Sequence, residues 1–142
     1  MRTVRKAMAY ITRGDELLIF RHAEFPEAGL QVPGGTIEPD EDPAVAVMRE
    51  ALEETGLEDL RMVRFLGEQV RDMRDIGRDE LAHRYFYELA VETAQETWRW
   101  YEETPAEGGE RIAYDLYWVP IAAVPPLITE HDFYVKELRR GT

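Results

Sequence analysis

The sequence contains no cysteine, which excludes a disulfide framework and any zinc site built on thiolates. Its histidines, His22, His83 and His131, are too few and too scattered to argue a metal triad. Long apolar runs are missing as well. Nothing approaches the roughly 20 consecutive apolar residues that span a bilayer, so no membrane partner is expected. The amino-terminal stretch is basic and then apolar, but Arg13, Asp15 and Glu16 interrupt it before a signal-peptide core could form. There is no internal repeat, low-complexity tract or linker. Positive charge is also in short supply, with 17 Lys and Arg against 29 Asp and Glu and a formal net charge of -12. A field of that sign disfavours long polyanions such as duplex DNA or RNA. Small phosphorylated metabolites remain allowed. A chain of 142 residues, 44% hydrophobic, predicts one domain over residues 1–142 with a sizeable core, and a cytoplasmic location is the default expectation.

What the chain does have is concentrated in residues 35–57, GTIEPDEDPAVAVMREALEETGL. Asp42 followed by Pro43 predicts a helix start, because Asp can cap free amides while Pro fills the first helical position, where its missing N–H costs nothing. Gly56 ends the pattern, since glycine takes a left-handed C-terminal cap without a Cβ penalty. Between them Ala44, Val47, Met48, Ala51, Leu52 and Thr55 predict an apolar stripe. Glu50, Glu53 and Glu54 fall together on the other side, close enough in arc to converge on one ion. Glu50 and Glu54 are like charges four residues apart, which disfavours a plain surface helix by a few tenths of a kcal/mol. A hard divalent cation, Mg²⁺ or Mn²⁺, would reverse that sign. Arg49 sits one turn before Glu53, where it can pair with and orient a carboxylate.

This segment resembles the signature of the Nudix (MutT-like) hydrolases, G-x5-E-x7-R-E-U-x-E-E-x-G-U with U a bulky aliphatic residue. Gly35, Glu41, Arg49, Glu50, Glu53, Glu54, Gly56 and Leu57 fill its positions, and Ala51 is smaller than the usual aliphatic at a position that packs rather than reacts. The resemblance implies an α/β fold, an αβα sandwich with a mixed central sheet flanked by helices. It implies a metal-dependent pyrophosphohydrolase that cleaves a nucleoside diphosphate linked to another moiety by attack of water on the pyrophosphate. By the same resemblance Glu50 and Glu54 are principal metal ligands, Glu53 is an additional one, and the backbone carbonyl of Gly34 helps to coordinate the ion. Arg49 belongs to the catalytic group, while Glu41 pairs with it to hold loop and helix together, and Gly35 and Gly56 support the motif.

Outward from the motif, residues 4–12 and 16–21 read as a hairpin about Gly14-Asp15, and 62–70 and 81–91 as strands. Residues 92–109 read as a polar loop, 111–119 as a further strand, and Thr129 or Asp132 as the cap of a terminal helix running to Arg139, packed through Phe133, Val135 and Leu138. The resemblance implies a general base that is either Glu50 or a glutamate of the polar loop. Glu96, Glu102, Glu103, Glu107 and Glu110 are available there, and Glu103, Glu107 and Glu110 lie nearest the next strand. Trp98, Trp100 and Tyr101 are candidates to stack on a base, though their spacing also suits a strand edge or a dimer contact. Arg21, Arg71, Arg74, Arg78 and Arg84 are candidates to grip phosphate. Markers of the ADP-ribose, diadenosine polyphosphate, NADH and coenzyme A subclasses are absent. The expected partner is therefore a small nucleotide or nucleotide derivative, with a homodimer possible and nucleic acid disfavoured. A nucleotide-sensing module without catalysis, or an RNA-end pyrophosphohydrolase, is the alternative; all four motif glutamates being present favours catalysis.

Overall fold

A computed structural model describes residues 1–103 and 109–139. Eight strands form one mixed sheet: β1 (Arg2–Arg13), β2 (Glu16–His22), β3 (Leu30–Gln31), β4 (Gly34–Thr36), β5 (Arg61–Asp72), β6 (Glu80–Ala90), β7 (Thr97–Glu102) and β8 (Ile112–Pro120). One α-helix, α1 (Pro43–Thr55), follows β4. The strand order is β5-β6-β1-β2-β8-β7. β1 and β6 run parallel, and the other pairs are antiparallel.

The expected β1–β2 hairpin forms where Gly14 supplies the positive φ of a two-residue turn, pairing Arg13 with Glu16. Only the end of β1 pairs with β2. Its Lys6, Ala7 and Met8 pair instead with Thr36, Gly35 and Gly34 of β4, and β3 pairs with Phe20 and Arg21 of β2. The short strands β3 and β4 therefore sit where β1 and β2 part, which carries the glycine pair into the sheet.

Alternation along β1 and β2 sends successive side chains to opposite faces. Ala7, Ala9, Ile11, Leu18 and Phe20 join Ala46, Val47 and Ala51 of α1 in one core. Met8, Tyr10, Leu17 and Ile19 join Phe86, Ile121, Val135 and Leu138 in a second core on the other face. The sandwich is thus present, but its layers are unequal. No α-helix forms near the carboxyl end of the described chain; 3-10 turns at Ile128–Glu130 and Val135–Arg139 cover that face. Thr129 and Glu130 have φ of 43° and 59°, outside the right-handed helical region, so a helix capped at Thr129 cannot start. Val135 and Leu138 are buried as expected, whereas Phe133 is exposed.

A second correction concerns the polar loop, which contains the edge strand β7, paired with β8 from Thr97–Tyr117 to Glu102–Ile112. The alternation of Trp98 and Trp100 along it fits the strand-edge alternative. Among the described residues no helix is long and apolar enough to cross a membrane.

Candidate active site

Helix α1 starts and stops on the signals in its sequence. The Asp42 side chain accepts the Ala44 N–H at 2.8 Å, and Gly56 closes the C-terminus at φ 76°, its N–H bonded to Leu52 O at 2.9 Å. The buried stripe is rotated from the expected one. Ala46, Val47, Glu50, Ala51, Glu54 and Thr55 are buried, and Leu52 is 46% exposed. Glu50 and Glu54 therefore lie on the face turned toward the sheet, only 6% exposed each, rather than with Glu53 on the outer side.

Three carboxylates meet there. One oxygen each from Glu50, Glu54 and Glu102 lie within 4.8 Å of one another. Glu54 Oε1 accepts the Gly34 N–H at 2.9 Å, Glu50 Oε1 accepts from Arg49 at 2.8 Å, and Glu102 Oε1 accepts the Tyr114 hydroxyl at 2.8 Å. Tyr114 is held in turn by stacking on Phe20, ring centroids 4.4 Å apart. Burial is the main force that raises the Glu54 pKa well above the ordinary carboxylate range, with Glu102, Glu50 and Glu53 adding to it against the Gly34 hydrogen bond. Burial likewise raises Glu50, opposed by Arg49 and reinforced by Glu53 and Glu102. Such a trio repels itself, and its hard oxygen donors suit a divalent cation of the Mg²⁺ or Mn²⁺ type.

The support around the trio is tight. Arg49 makes a two-pronged contact with Glu41 at 2.8 Å on each side and also donates to Thr36 O at 3.2 Å. This bond is the main reason the Glu41 pKa falls to about 2, helped by the Glu38 N–H. The helix is thereby tied to the chain leaving β4, as the Arg49–Glu41 pairing predicts. Gly35 is required by space: a Cβ there would lie 2.2 Å from Glu50 Oε2. Gly34 meets the site through its N–H.

Several expected site residues lie elsewhere. Glu53 is outside the trio, its side chain 46% exposed and 3.5 Å from Arg49. Of the polar-stretch glutamates, Glu102 reaches the site, whereas Glu103 is exposed and faces Arg111 at 3.6 Å. Glu110 is exposed and Glu107 lies outside the described residues. The signal that singles out Glu102 is the period of two: Trp98, Trp100 and Glu102 share the side of β7 that faces α1. The tryptophans are bound to the helix end through their indole N–H groups, and Trp100 stays 37% exposed. Trp98 Nε1 donates to Thr55 O at 2.9 Å and Trp100 Nε1 to Glu53 O at 2.8 Å, satisfying carbonyls that the last helical turn leaves free. Tyr101 carries the Arg111 guanidinium over its ring, 4.1 Å from the centroid.

Beside the trio opens a cavity of about 330 Å³, with Gly34, Gly35 and Glu54 in its wall. Of the candidate phosphate-gripping arginines, Arg78 and Arg84 line it, together with Lys6 and His131. Arg71 is paired with Asp75 and Glu130, Arg74 with Asp72, and Arg21 is exposed on β2. His131 Nδ1 accepts the Val32 N–H at 3.2 Å. Burial, then Arg84 and Arg71, push its pKa down to about 3, so the ring is neutral with its proton on Nε2. Neither Lys6 nor His131 carries a signal in its local sequence; only the fold places them here.

Comparison with known proteins follows the same lines. The chain matches the family model described as NUDIX domain over residues 2–139. It is 37% identical over 89 residues to diphosphoinositol polyphosphate phosphohydrolase 3-beta of Bos taurus, covering 61% of this chain and 48% of that protein. The human protein of the same name is 37% identical over 86 residues with the same coverage. The chain thus spans about half the length of these relatives. Among solved structures, a MutT NUDIX hydrolase from Burkholderia pseudomallei superposes with a TM-score of 0.67 at 20% identity, covering 96% of this chain and 98% of that one. That likeness establishes the fold.

Proposed function

This chain belongs to the NUDIX family, and from that premise we propose that it is a divalent-metal-dependent pyrophosphohydrolase acting on a small substrate in which a diphosphate is linked to another moiety. The observation that carries this reading is the convergence of Glu50, Glu54 and Glu102 within 4.8 Å beside a cavity. These three residues would hold Mg²⁺ or Mn²⁺, which when bound supplies charge neutralisation at the phosphate oxygens and acidifies a water. The chain's own part is positioning, the main demand of phosphoryl transfer. The Gly34 N–H fixes the Glu54 carboxylate, Arg49 fixes Glu50, and the Tyr114 hydroxyl fixes Glu102. Each of these bonds engages one oxygen of its carboxylate. Glu53, at the exposed rim, supports the site through its charge and its contact with Arg49.

The test is release of phosphate or nucleotide from a panel of nucleoside triphosphates, nucleotide sugars, ADP-ribose, dinucleoside polyphosphates and inositol pyrophosphates, with Mg²⁺ or Mn²⁺. Wild type should turn over one class only when the metal is present. Glu54→Gln should lose more than tenfold in rate, about 1.4 kcal/mol of barrier. Metal-independent turnover, or a variant within tenfold of wild type, would contradict the assignment.

A further inference from the structure

Ile128, Thr129 and His131 make one wall of the cavity that Glu54 also lines, and the backbone in that wall is strained. Thr129 has φ 43° and ψ 43°, and Glu130 has φ 59°. A β-branched residue in this left-handed region is an outlier, because its side chain crowds the backbone, and a second non-glycine residue there adds its own cost. Such a conformation persists only where the surroundings over-determine it.

Three strands and the chain after β3 supply that constraint. From β6, Arg84 donates to the Thr129 carbonyl and to Thr129 Oγ1 at 3.0 Å. From β5, Gln69 Nε2 and Arg71 Nε reach Glu130 Oε1 at 3.3 Å and 3.0 Å. From β1, the Tyr10 hydroxyl donates to His131 O at 2.6 Å, and the Val32 N–H donates to His131 Nδ1 at 3.2 Å. Gly29 passes so close behind that a Cβ there would lie 3.2 Å from Ile128 Cβ.

Arg84 is the most deeply committed of these partners. It is 3% exposed, and its other acceptors are Gln69 Oε1 at 3.4 Å and Met73 Sδ at 3.8 Å. Burial is the main force that brings its pKa down to about 10, so it stays charged at neutral pH. A buried guanidinium without a bonded carboxylate is costly, and a charge-assisted bond to a carbonyl is stronger than a neutral one. The cation and the strained turn therefore satisfy each other.

We propose that Arg84 is a positioning residue of the hydrolase: it clamps the strained turn at Thr129 and Glu130, and the clamped turn keeps Thr129 and His131 in the cavity wall. This inference rests on the hydrolase reading of the adjoining glutamates. Without the clamp, Thr129 returns to an ordinary backbone conformation and carries its neighbours out of the wall. Arg84 thus acts on substrate through the turn. Thr129→Gly removes the need for the clamp, since glycine takes positive φ without a Cβ penalty.

The experiment is a double-mutant cycle of Arg84→Met and Thr129→Gly on the full chain, read in two ways. Amide hydrogen exchange compares Val32, whose N–H is bonded to His131 Nδ1, with Ala9, whose N–H is bonded to Pro33 O at 2.8 Å. Arg84→Met should speed Val32 relative to Ala9 about tenfold, as local opening of the turn, and less than about threefold when Thr129→Gly is already in place. Turnover of the panel substrate that the wild type accepts gives the second reading. Arg84→Met should raise KM about tenfold with kcat within about threefold, and the rise in KM should fall below about threefold when Thr129→Gly is in place.

Equal acceleration of both amides would make Arg84 a general stabiliser, and an equal rise in KM in both backgrounds would make it a direct substrate contact. Either result overturns the proposal, as does the exchange pattern with an unchanged KM. Should Arg84→Met not fold, Arg84→Lys runs the same cycle, because its compact ammonium lacks the planar fork that spans the Thr129 carbonyl and hydroxyl. Turnover with an unchanged ratio of Val32 to Ala9 exchange would refute the clamp and leave the hydrolase reading standing. The exchange pattern without turnover of any panel member would support the clamp and refute the hydrolase reading.

Discussion

Replacing Glu102 with Gln isolates the contribution of the glutamate that lies outside the signature. The amide keeps the side-chain shape and the oxygen that accepts the Tyr114 hydroxyl at 2.8 Å, while one charge leaves the trio. At a separation of 4.8 Å two full carboxylate charges repel by about 3.5 kcal/mol with an effective dielectric constant of 20. Two such pairs disappear in the variant. Burial raises the Glu54 pKa well above the ordinary carboxylate range, which eases that repulsion, so the net gain is smaller than the sum. The metal-free variant should therefore melt above wild type, by a few degrees. Saturating Mn²⁺ should reverse the order, since stabilisation by a ligand grows with its affinity and a tenfold weaker site forfeits about 1.4 kcal/mol. Turnover should fall at least tenfold. Thermal melts with and without Mn²⁺, alongside the rate, read all three effects. A variant with the wild-type metal-induced shift and wild-type turnover would sink the argument, and the third carboxylate would then be an incidental neighbour.

Gly35→Ala places a methyl 2.2 Å from Glu50 Oε2; it should destabilise by about 1–3 kcal/mol, as overpacking does, and lower turnover more than tenfold. Unchanged melting and rate would show that β4 yields freely. Trp98→Phe removes the indole N–H that meets Thr55 O at 2.9 Å and should cost about 1 kcal/mol in urea denaturation with substrate KM unchanged. A raised KM at unchanged stability would restore the base-stacking role expected from sequence. Acid should expose the Glu41–Arg49 tie. The folded pKa of Glu41 is lowered from 4.5 to about 2, chiefly by Arg49, so its stabilising contribution is complete above pH 4.5 and is lost as pH falls from 4.5 through 2. Glu50 and Glu54, whose pKa values are raised, act in the opposite sense, because the folded state takes up their protons more readily. The difference in urea midpoint between wild type and Glu41→Gln isolates the first effect. It should be largest near neutral pH and shrink below pH 4.5, and a constant difference across that range would count against the pairing.

The functional consequence of the fold lies in where the sheet parts. Lys6–Met8 of β1 pair with β4 rather than β2, and this brings the glycine pair, the buried face of α1 and the cationic cavity to one place. A glutamate from the far edge strand, β7, completes the group. The converging carboxylates thus come from a helix and a strand that no local rule connects.

Short-range chemistry in the sequence was sufficient for helix α1, its Asp42–Pro43 start, its Gly56 stop and the Glu41–Arg49 tie, because capping, backbone freedom and close-range pairing depend on residues a few positions apart. The hairpin at Gly14 and the long strands were legible for the same reason, through a turn and a period of two. The rotation of the helix stripe was not. Glu50 and Glu54 are buried with the Gly34 N–H and the Arg49 guanidinium as partners, whereas hydrophobicity alone assigns a glutamate to the outer face. A helix capped at Thr129 failed because Thr129 and Glu130 adopt positive φ, which their types do not announce, and beyond Asp132 the chain forms only the 3-10 turn Val135–Arg139. Glu102, Tyr114 and Arg84 were placed by tertiary packing between distant parts of the chain: β7 meets the end of α1 where Trp98 bonds Thr55, 43 residues away, and Arg84 meets Thr129 at a separation of 45. The sequence by itself determined the helix and the glutamates it carries, since those are local. Which carboxylates converge, and which cations face the cavity beside them, was decided by long-range register and by the balance of buried charge.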